Sequence, residues 1–190
     1  PCLDRCLLDS PAAHAVRNRR PLLASEIDRA IGERRGGEPA RVASFACGPA
    51  RELFDVCAGL RDPSRLSATL LDFDEEALGF VVGQRDAAGL DQGLMRPLRV
   101  NILHLAEGQC TIDLEPQDLI YSVGLIDYFS DRIVVALLDA VHERLRPGGR
   151  VILGNFHPRN PNRAFMDHVL EWRLIHRSED DLARLFQSSR

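Results

Sequence analysis

Five short apolar runs, at residues 41–46, 68–73, 98–103, 118–123 and 150–155, alternate with stretches whose apolar residues recur at helical spacing. That alternation constrains the fold more than any other feature. Strands taking turns with helices predict a mainly parallel sheet with helices on both faces, an α/β doubly wound architecture. Right-handed crossovers bring the loops after each strand to one edge, where ligands bind. The 190 residues suffice for one domain with a sizeable core. Its predicted parts are an N-terminal helical segment (1–38), a core (39–156) and a C-terminal helical segment (157–190).

The helices have their own marks. Leu22, Leu23, Ile27, Ala30 and Ile31 share a helical face before Gly36-Gly37-Glu38-Pro39 breaks the pattern. Further helices are expected over 50–59 and over 75–86, the latter capped by Asp74. Asp131 is the expected cap of a helix with the stripe Val134, Leu137, Leu138, Val141 and Leu145, stopped by Pro147-Gly148-Gly149. Residues 164–175 are expected to be helical, with Phe165, Val169 and Trp172 on one side. Ser178, with Asp181 three positions later, predicts a capped helix through Phe186.

The first strand leads into SFACGPARE, Ser44 to Glu52. Small residues at the turn Ala46-Cys47-Gly48-Pro49 allow a ligand close to the backbone. The following helix start offers free N–H donors. Asp72 ends the next apolar run, near the spacing of about 20 residues at which a ribose-binding carboxylate follows such a turn.

Charge and cysteine content narrow the class. With 24 Lys and Arg against 28 Asp and Glu, the chain is mildly acidic, which argues against nonspecific nucleic-acid binding. Arg17, Arg19 and Arg20 are a local basic group, either a solvated helix face or a clamp for an anionic ligand. No apolar run is long enough to span a membrane, and no signal peptide is visible. Five cysteines, an odd number without regular pairing, fit a reducing cytoplasm. Cys2 and Cys6 lie one helical turn apart, but no close Cys or His completes a metal site, so no metal is expected. Cys47 reads as a small packing residue.

Over residues 41–156 the chain resembles the Rossmann-like, class I S-adenosylmethionine-dependent methyltransferases. The resemblance rests on SFACGPARE, LLDFDEEAL, DLIYSVGLIDYF and LRPGGRVILGNF in that order. It implies S-adenosyl-L-methionine as cofactor, Asp72 on the ribose hydroxyls and Phe73 packed on the adenine. Asn101, with the backbone near Ile102 and Leu103, would meet the adenine amino group; Asn101 reads equally well as a loop residue bonding its own backbone. Ser122, Val123, Gly124 and Leu125 would pass beside the methionine part and the sulfonium. There are departures. Ser44 stands where the family has an acid, and Ala46 and Ala50 replace two of three glycines. Alanine does not favour positive φ. The methionine end is therefore expected to be held differently, with Arg51 and Glu52 near enough to contribute. The family also continues into two further strands, so the expected sheet lacks those C-terminal strands.

Together with AVRNRR and ACGPARE, the segment GNFHPRNPNRAFMDHVLEWRLIHR is similar to the methyltransferases that make 3-hydroxy fatty acid methyl esters. That similarity implies a small-molecule, fatty-acyl carboxylate acceptor. Candidate acceptor-binding residues are Arg17, Arg20, Asp127, Asn155, His157 and Asn160, with Tyr128 and His157 as catalytic candidates. A carboxylate is already ionised near neutrality and needs no base. A hydroxyl or amine acceptor keeps the alternative of a base, for which His157 is the candidate. A cofactor-binding module without turnover and a nicotinamide-binding protein also stay open. His104, His142, His168 and His176 read as structural or solvent-facing. The sequence leaves the oligomeric state open.

Overall fold

The computed structural model describes residues 8–189; Cys2 and Cys6 lie outside them. Five parallel strands form one sheet in the order β3-β2-β1-β4-β5. They are β1 (Ala40–Phe45), β2 (Leu66–Asp72), β3 (Met95–Arg99), β4 (Gln117–Val123) and β5 (Leu145–Gly154). The helices are α1 (Pro11–Glu33), α2 (Arg51–Gly59), α3 (Glu75–Ala87), α4 (Ile102–Ala106), α5 (Asp131–His142), α6 (Arg163–His168) and α7 (Glu179–Ser188).

Strand side chains alternate between two apolar layers, as a two-residue period requires. On one face Val42, Leu70, Leu119 and Tyr121 meet Leu23 and Ile27 of α1, Leu53 and Val56 of α2, and Val81 of α3. On the other, Ala43, Phe45, Leu71 and Ile120 meet Ile102 of α4, Val134 and Leu137 of α5, and Leu185 of α7. Each fully buried Leu, Ile or Val contributes about 1.5–3 kcal/mol relative to exposure, so these two layers dominate the stability. The chain order reverses between β1 and β4, opening a crevice at their C-terminal ends.

Four local expectations are corrected. The third strand stops at Arg99, and residues 102–106 are helical because Asn101 caps α4, its side-chain oxygen accepting from Leu103 N–H. Pro97 sits in this strand without penalty because β3 is an edge. The helix after β4 ends at His142, and Leu145 opens β5. Pro147-Gly148-Gly149 lies inside that strand as an irregularity in its pairing with β4; a Cβ on Gly149 would come within 2.7 Å of Gln117 O. Asp131 is the first residue of α5 rather than its cap, the cap position being Ser130.

The helix expected over 164–175 ends at His168. Beyond it the backbone donates to distant acceptors instead of to its own preceding turn. Ile175 N–H bonds Asp127 O (2.8 Å) and Arg177 N–H bonds Phe156 O (2.9 Å). This strap runs across the ends of β4 and β5 before the Ser178–Asp181 capping box starts α7.

Candidate active site

The turn after β1 is tied to the end of β2. Cys47 N–H donates to Leu71 O (3.1 Å), and Gly48 N–H donates to Asp72 Oδ2 (2.8 Å). Asp72 Oδ1 accepts from Asp74 N–H (3.0 Å). Ala46, Gly48 and Ala50 have φ of 55°, 51° and 46°. The alanines thus hold the left-handed conformation that glycine would hold at less cost, and the turn keeps its shape without it. Burial, with the charges of Asp72 and Glu52, pushes the Cys47 thiol up to about 12, so it is no nucleophile at neutral pH. Those same charges place both carboxylates close to the turn. Pro49 and Arg51 are exposed at its outer side.

Beside the turn lies a cavity of about 270 Å³, lined by Ala46, Asp72, Phe73, Val100, Asn101, Ile102, Leu103, Leu125 and Phe129. It is an apolar slot with one carboxylate at its wall. Each Asp72 oxygen already accepts one bond and retains acceptor capacity for another. Phe73 is 61% exposed, with the Arg99 guanidinium 5.3 Å above its ring. Asn101 lines the slot, and its Oδ1 accepts from Leu103 N–H in capping α4. A larger cavity, about 440 Å³, is lined by Pro39, Leu66, Ser67 and Leu94 at the strand starts. That is the wrong edge of a parallel sheet for a ligand.

On the other side of the crevice, Ser122 Oγ donates to Phe45 O (2.8 Å) and fixes the end of β4. Val123 precedes Gly124, which turns the chain at φ 97°. Tyr121 is fully buried and its hydroxyl donates to Glu52 Oε1 (2.6 Å). Burial first, then the Glu52 charge, holds that phenol well above its ordinary value. Asp127 is 1% exposed. Its Oδ1 accepts from Phe156 N–H (2.7 Å), whereas its buried Oδ2 has no partner among the described residues. Burial raises its pKa against the opposing pull of that amide and of Arg19.

The remaining acceptor-side candidates are largely committed to structure. Asn155 donates to Phe156 O and Ile175 O and accepts from Arg177. Asn160 contacts Met166 Sδ and His176 and accepts from Asn162 N–H. His157 Nδ1 accepts from Arg159 N–H (3.0 Å) while Nε2 faces Glu179 (3.1 Å), so both ring nitrogens are engaged by groups of the protein. Tyr128 Oη accepts from Trp172 Nε1 (2.7 Å). Arg20 pairs with Asp55 on α2, and Arg17 contacts His14.

Two arginines matter that sequence reasoning did not assign. Arg19 lies over the Phe156 ring at 5.2 Å; its place in the basic group was the only signal. Arg177 is buried and bonds Asp131, Asn155, Ile126 O and Phe129 O, locking the strap to the loop after β4. No local motif marks it. Among the described residues no helix is long and apolar enough to cross a membrane. Nor do three or more His, Cys, Asp or Glu among them gather to hold a metal.

No family model and no curated protein matches the chain. Solved structures do. A "possible exported protein" from Bordetella parapertussis superposes with TM-score 0.69 and 24% identity, over 94% of this chain and 62% of that one. The S-adenosylmethionine-dependent methyltransferase SibL gives 0.64 and 22%, over 90% and 48%. Geranyl diphosphate C-methyltransferase from Streptomyces coelicolor A3(2), in complex with Mg²⁺, geranyl diphosphate and S-adenosyl-L-homocysteine, gives 0.63 and 14%, over 90% and 60%. The chain has the Rossmann-like fold of the two methyltransferases. It spans 48–62% of the lengths of the three chains.

Proposed function

We propose that this chain transfers a methyl group from S-adenosylmethionine to a small molecule, with the carboxylate of a 3-hydroxy fatty acid as acceptor. The observation that carries the cofactor assignment is Asp72, a carboxylate fixed by two backbone amides at the wall of an apolar, nucleoside-sized slot. It would accept from two ribose hydroxyls at once, a strong charge-assisted arrangement. Phe73, Ile102 and Leu103 would flank the base. Glu52, held by Tyr121, would face the ammonium of the methionine end, and Gly124 would admit the reacting centre.

The bound cofactor supplies an electrophilic methyl group on a sulfonium. The protein's part is to orient the acceptor in line and exclude water. A carboxylate acceptor suits this site because it needs no base, and both His157 nitrogens are engaged by groups of the protein. An apolar cavity of about 180 Å³ between α1 and α6, lined by Ala13, Val16, Phe165, Met166, Leu170 and Trp172, supports an acyl chain. Trp172 also packs edge-on against Phe156 beside the β5 end. The free thiols Cys47, Cys57 and Cys110 fit a reducing, cytoplasmic setting.

Incubation with methyl-labelled cofactor and 3-hydroxy fatty acids should yield labelled methyl esters. Label in another acceptor would keep the enzyme class and reject the substrate. Asp72→Ala should weaken S-adenosylhomocysteine binding about tenfold to a hundredfold by calorimetry, and unchanged affinity would remove Asp72 from the site.

A further inference from the structure

Among the described residues, Arg19 and Asp127 are charged groups at the ends of β4 and β5 with bonding capacity left over. Arg19 projects from α1 across the crevice mouth. Its guanidinium stacks on Phe156 at 5.2 Å, and one terminal nitrogen lies 3.3 Å from where a Gly124 Cβ would sit. No described residue accepts a hydrogen bond from it. Its neighbours Arg17 and Arg20 have side-chain partners. Asp127 interacts with Arg19 through charge alone. Its Oδ1 is taken by the Phe156 amide, and its Oδ2 is buried without a partner among the described residues. A half-desolvated guanidinium with unused donors and a buried carboxylate with an unused acceptor are both costly unless something meets them.

We propose that Arg19 and Asp127 together bind a carboxylate that carries a hydrogen-bond donor one or two carbons away. The planar fork of Arg19 takes the acid bidentately, with Phe156 as its platform. Asp127 Oδ2 takes the hydroxyl or ammonium beside it. Gly124, without a Cβ, lets the Arg19 guanidinium lie close to the end of β4. This inference rests on the methyltransferase reading, under which two ligands have that chemistry. One is a 3-hydroxy acid acceptor; the other is the amino-acid end of the cofactor.

Calorimetry on the whole chain with four probes separates the sources. The probes are S-adenosylhomocysteine, methylthioadenosine (the same nucleoside without the amino acid), 3-hydroxydodecanoate and dodecanoate. If the acceptor is bound here, the wild type prefers the hydroxy acid. Arg19→Gln then weakens both acids about tenfold to a hundredfold, Asp127→Asn abolishes the preference, and nucleoside binding is unchanged. If the cofactor is bound here, both variants weaken S-adenosylhomocysteine by a similar factor and leave methylthioadenosine alone. Arg19→Lys, which keeps the charge without the fork, should recover only part of the loss and controls for folding. Unchanged selectivity in both arms overturns the proposal. A wild type that binds neither nucleoside overturns the methyltransferase reading instead, and the pair then stands or falls on the two acids.

Discussion

At Ala46 the backbone φ is 55°, a conformation that costs an L-residue about 1–2 kcal/mol. Glycine would relieve that strain but add about 0.4–1 kcal/mol of unfolded-state entropy, leaving a net gain of about 0.5 kcal/mol. Ala46→Gly should therefore raise the denaturation midpoint slightly. Ala50→Gly should not, because Ala50 is buried and its methyl contributes about 0.8 kcal/mol. Equal shifts in urea titrations of the two variants would contradict this. The alanines also show a limit of legibility. Their presence in the turn was readable, but their positive φ follows from the ties of Cys47 and Gly48 to Leu71 and Asp72, residues of another strand. A similar limit separates Arg19 from Arg17 and Arg20: only the docking of α1 on the sheet decides which one faces the site. Asp127 gives a pH prediction. Burial raises its pKa above 3.8, so the native state keeps a proton that the unfolded chain has already lost. Stability falls as pH rises from the ordinary value through the raised one, and the ionised group is a net cost above that window. Asp127→Asn should gain stability relative to the wild type as pH rises from about 4 towards neutrality. A difference constant with pH would show that Asp127 titrates normally.

Elements whose partners are local or periodic were readable, and those that depend on distant acceptors were not. Strands β1, β2 and β4 and helices α3 and α7 follow from apolar period and capping residues, and α2 from its apolar face alone, Ala50 making no side-chain cap bond. The strap after α6 does not, because its amides bond Asp127 O and Phe156 O. Its Phe165, Val169 and Trp172 spacing suggested a helix that long-range pairing overrides. Arg177 is the residue that holds this strap. It is 3% exposed and reaches four partners, while its ion partner Asp131 is 72% exposed. Removing Arg177 leaves Phe129 O and Asn155 Oδ1 without that donor and Ile126 O with the Phe129 N–H alone; removing Asp131 leaves these bonds intact. Arg177→Ala should cost about 2–4 kcal/mol through the acceptors it leaves behind, and Asp131→Ala less, because the guanidinium keeps its bonds to Ile126 O, Phe129 O and Asn155 Oδ1. In hydrogen exchange the strap amides of Ile175 and Arg177 should lose protection in Arg177→Ala before those of β1 and β4. Equal effects of the two substitutions would mean that the ion pair alone holds the strap.

Across the whole molecule the two halves of the crevice are built differently. The β1–β2–β3 side comes from consecutive crossover units, so the turn after β1 and the placing of Asp72 at the end of β2 were readable from the sequence, whereas the capping of α4 by Asn101 was open as one of two readings. The β4–β5 side is completed by the two ends of the described chain. Asn162 Oδ1 accepts from Ala12 N–H (3.0 Å), and Ala12, Phe156, Met166 and Leu174 form a small core of their own. No local pattern encodes a contact between α1 and the residues around α6. Under the proposed function, the apolar cavity under that contact would measure the chain length of an acyl acceptor. Val16 lines it from α1 and is part-exposed, so enlarging it fills the cavity without disturbing the sheet. Val16→Trp should lower kcat/KM for long-chain 3-hydroxy acids by about tenfold to two-hundredfold for each methylene displaced. Short-chain acids and S-adenosylhomocysteine affinity should be little affected. Loss of activity on all chain lengths together would place the acyl chain elsewhere, because a cavity that measures length must discriminate by it.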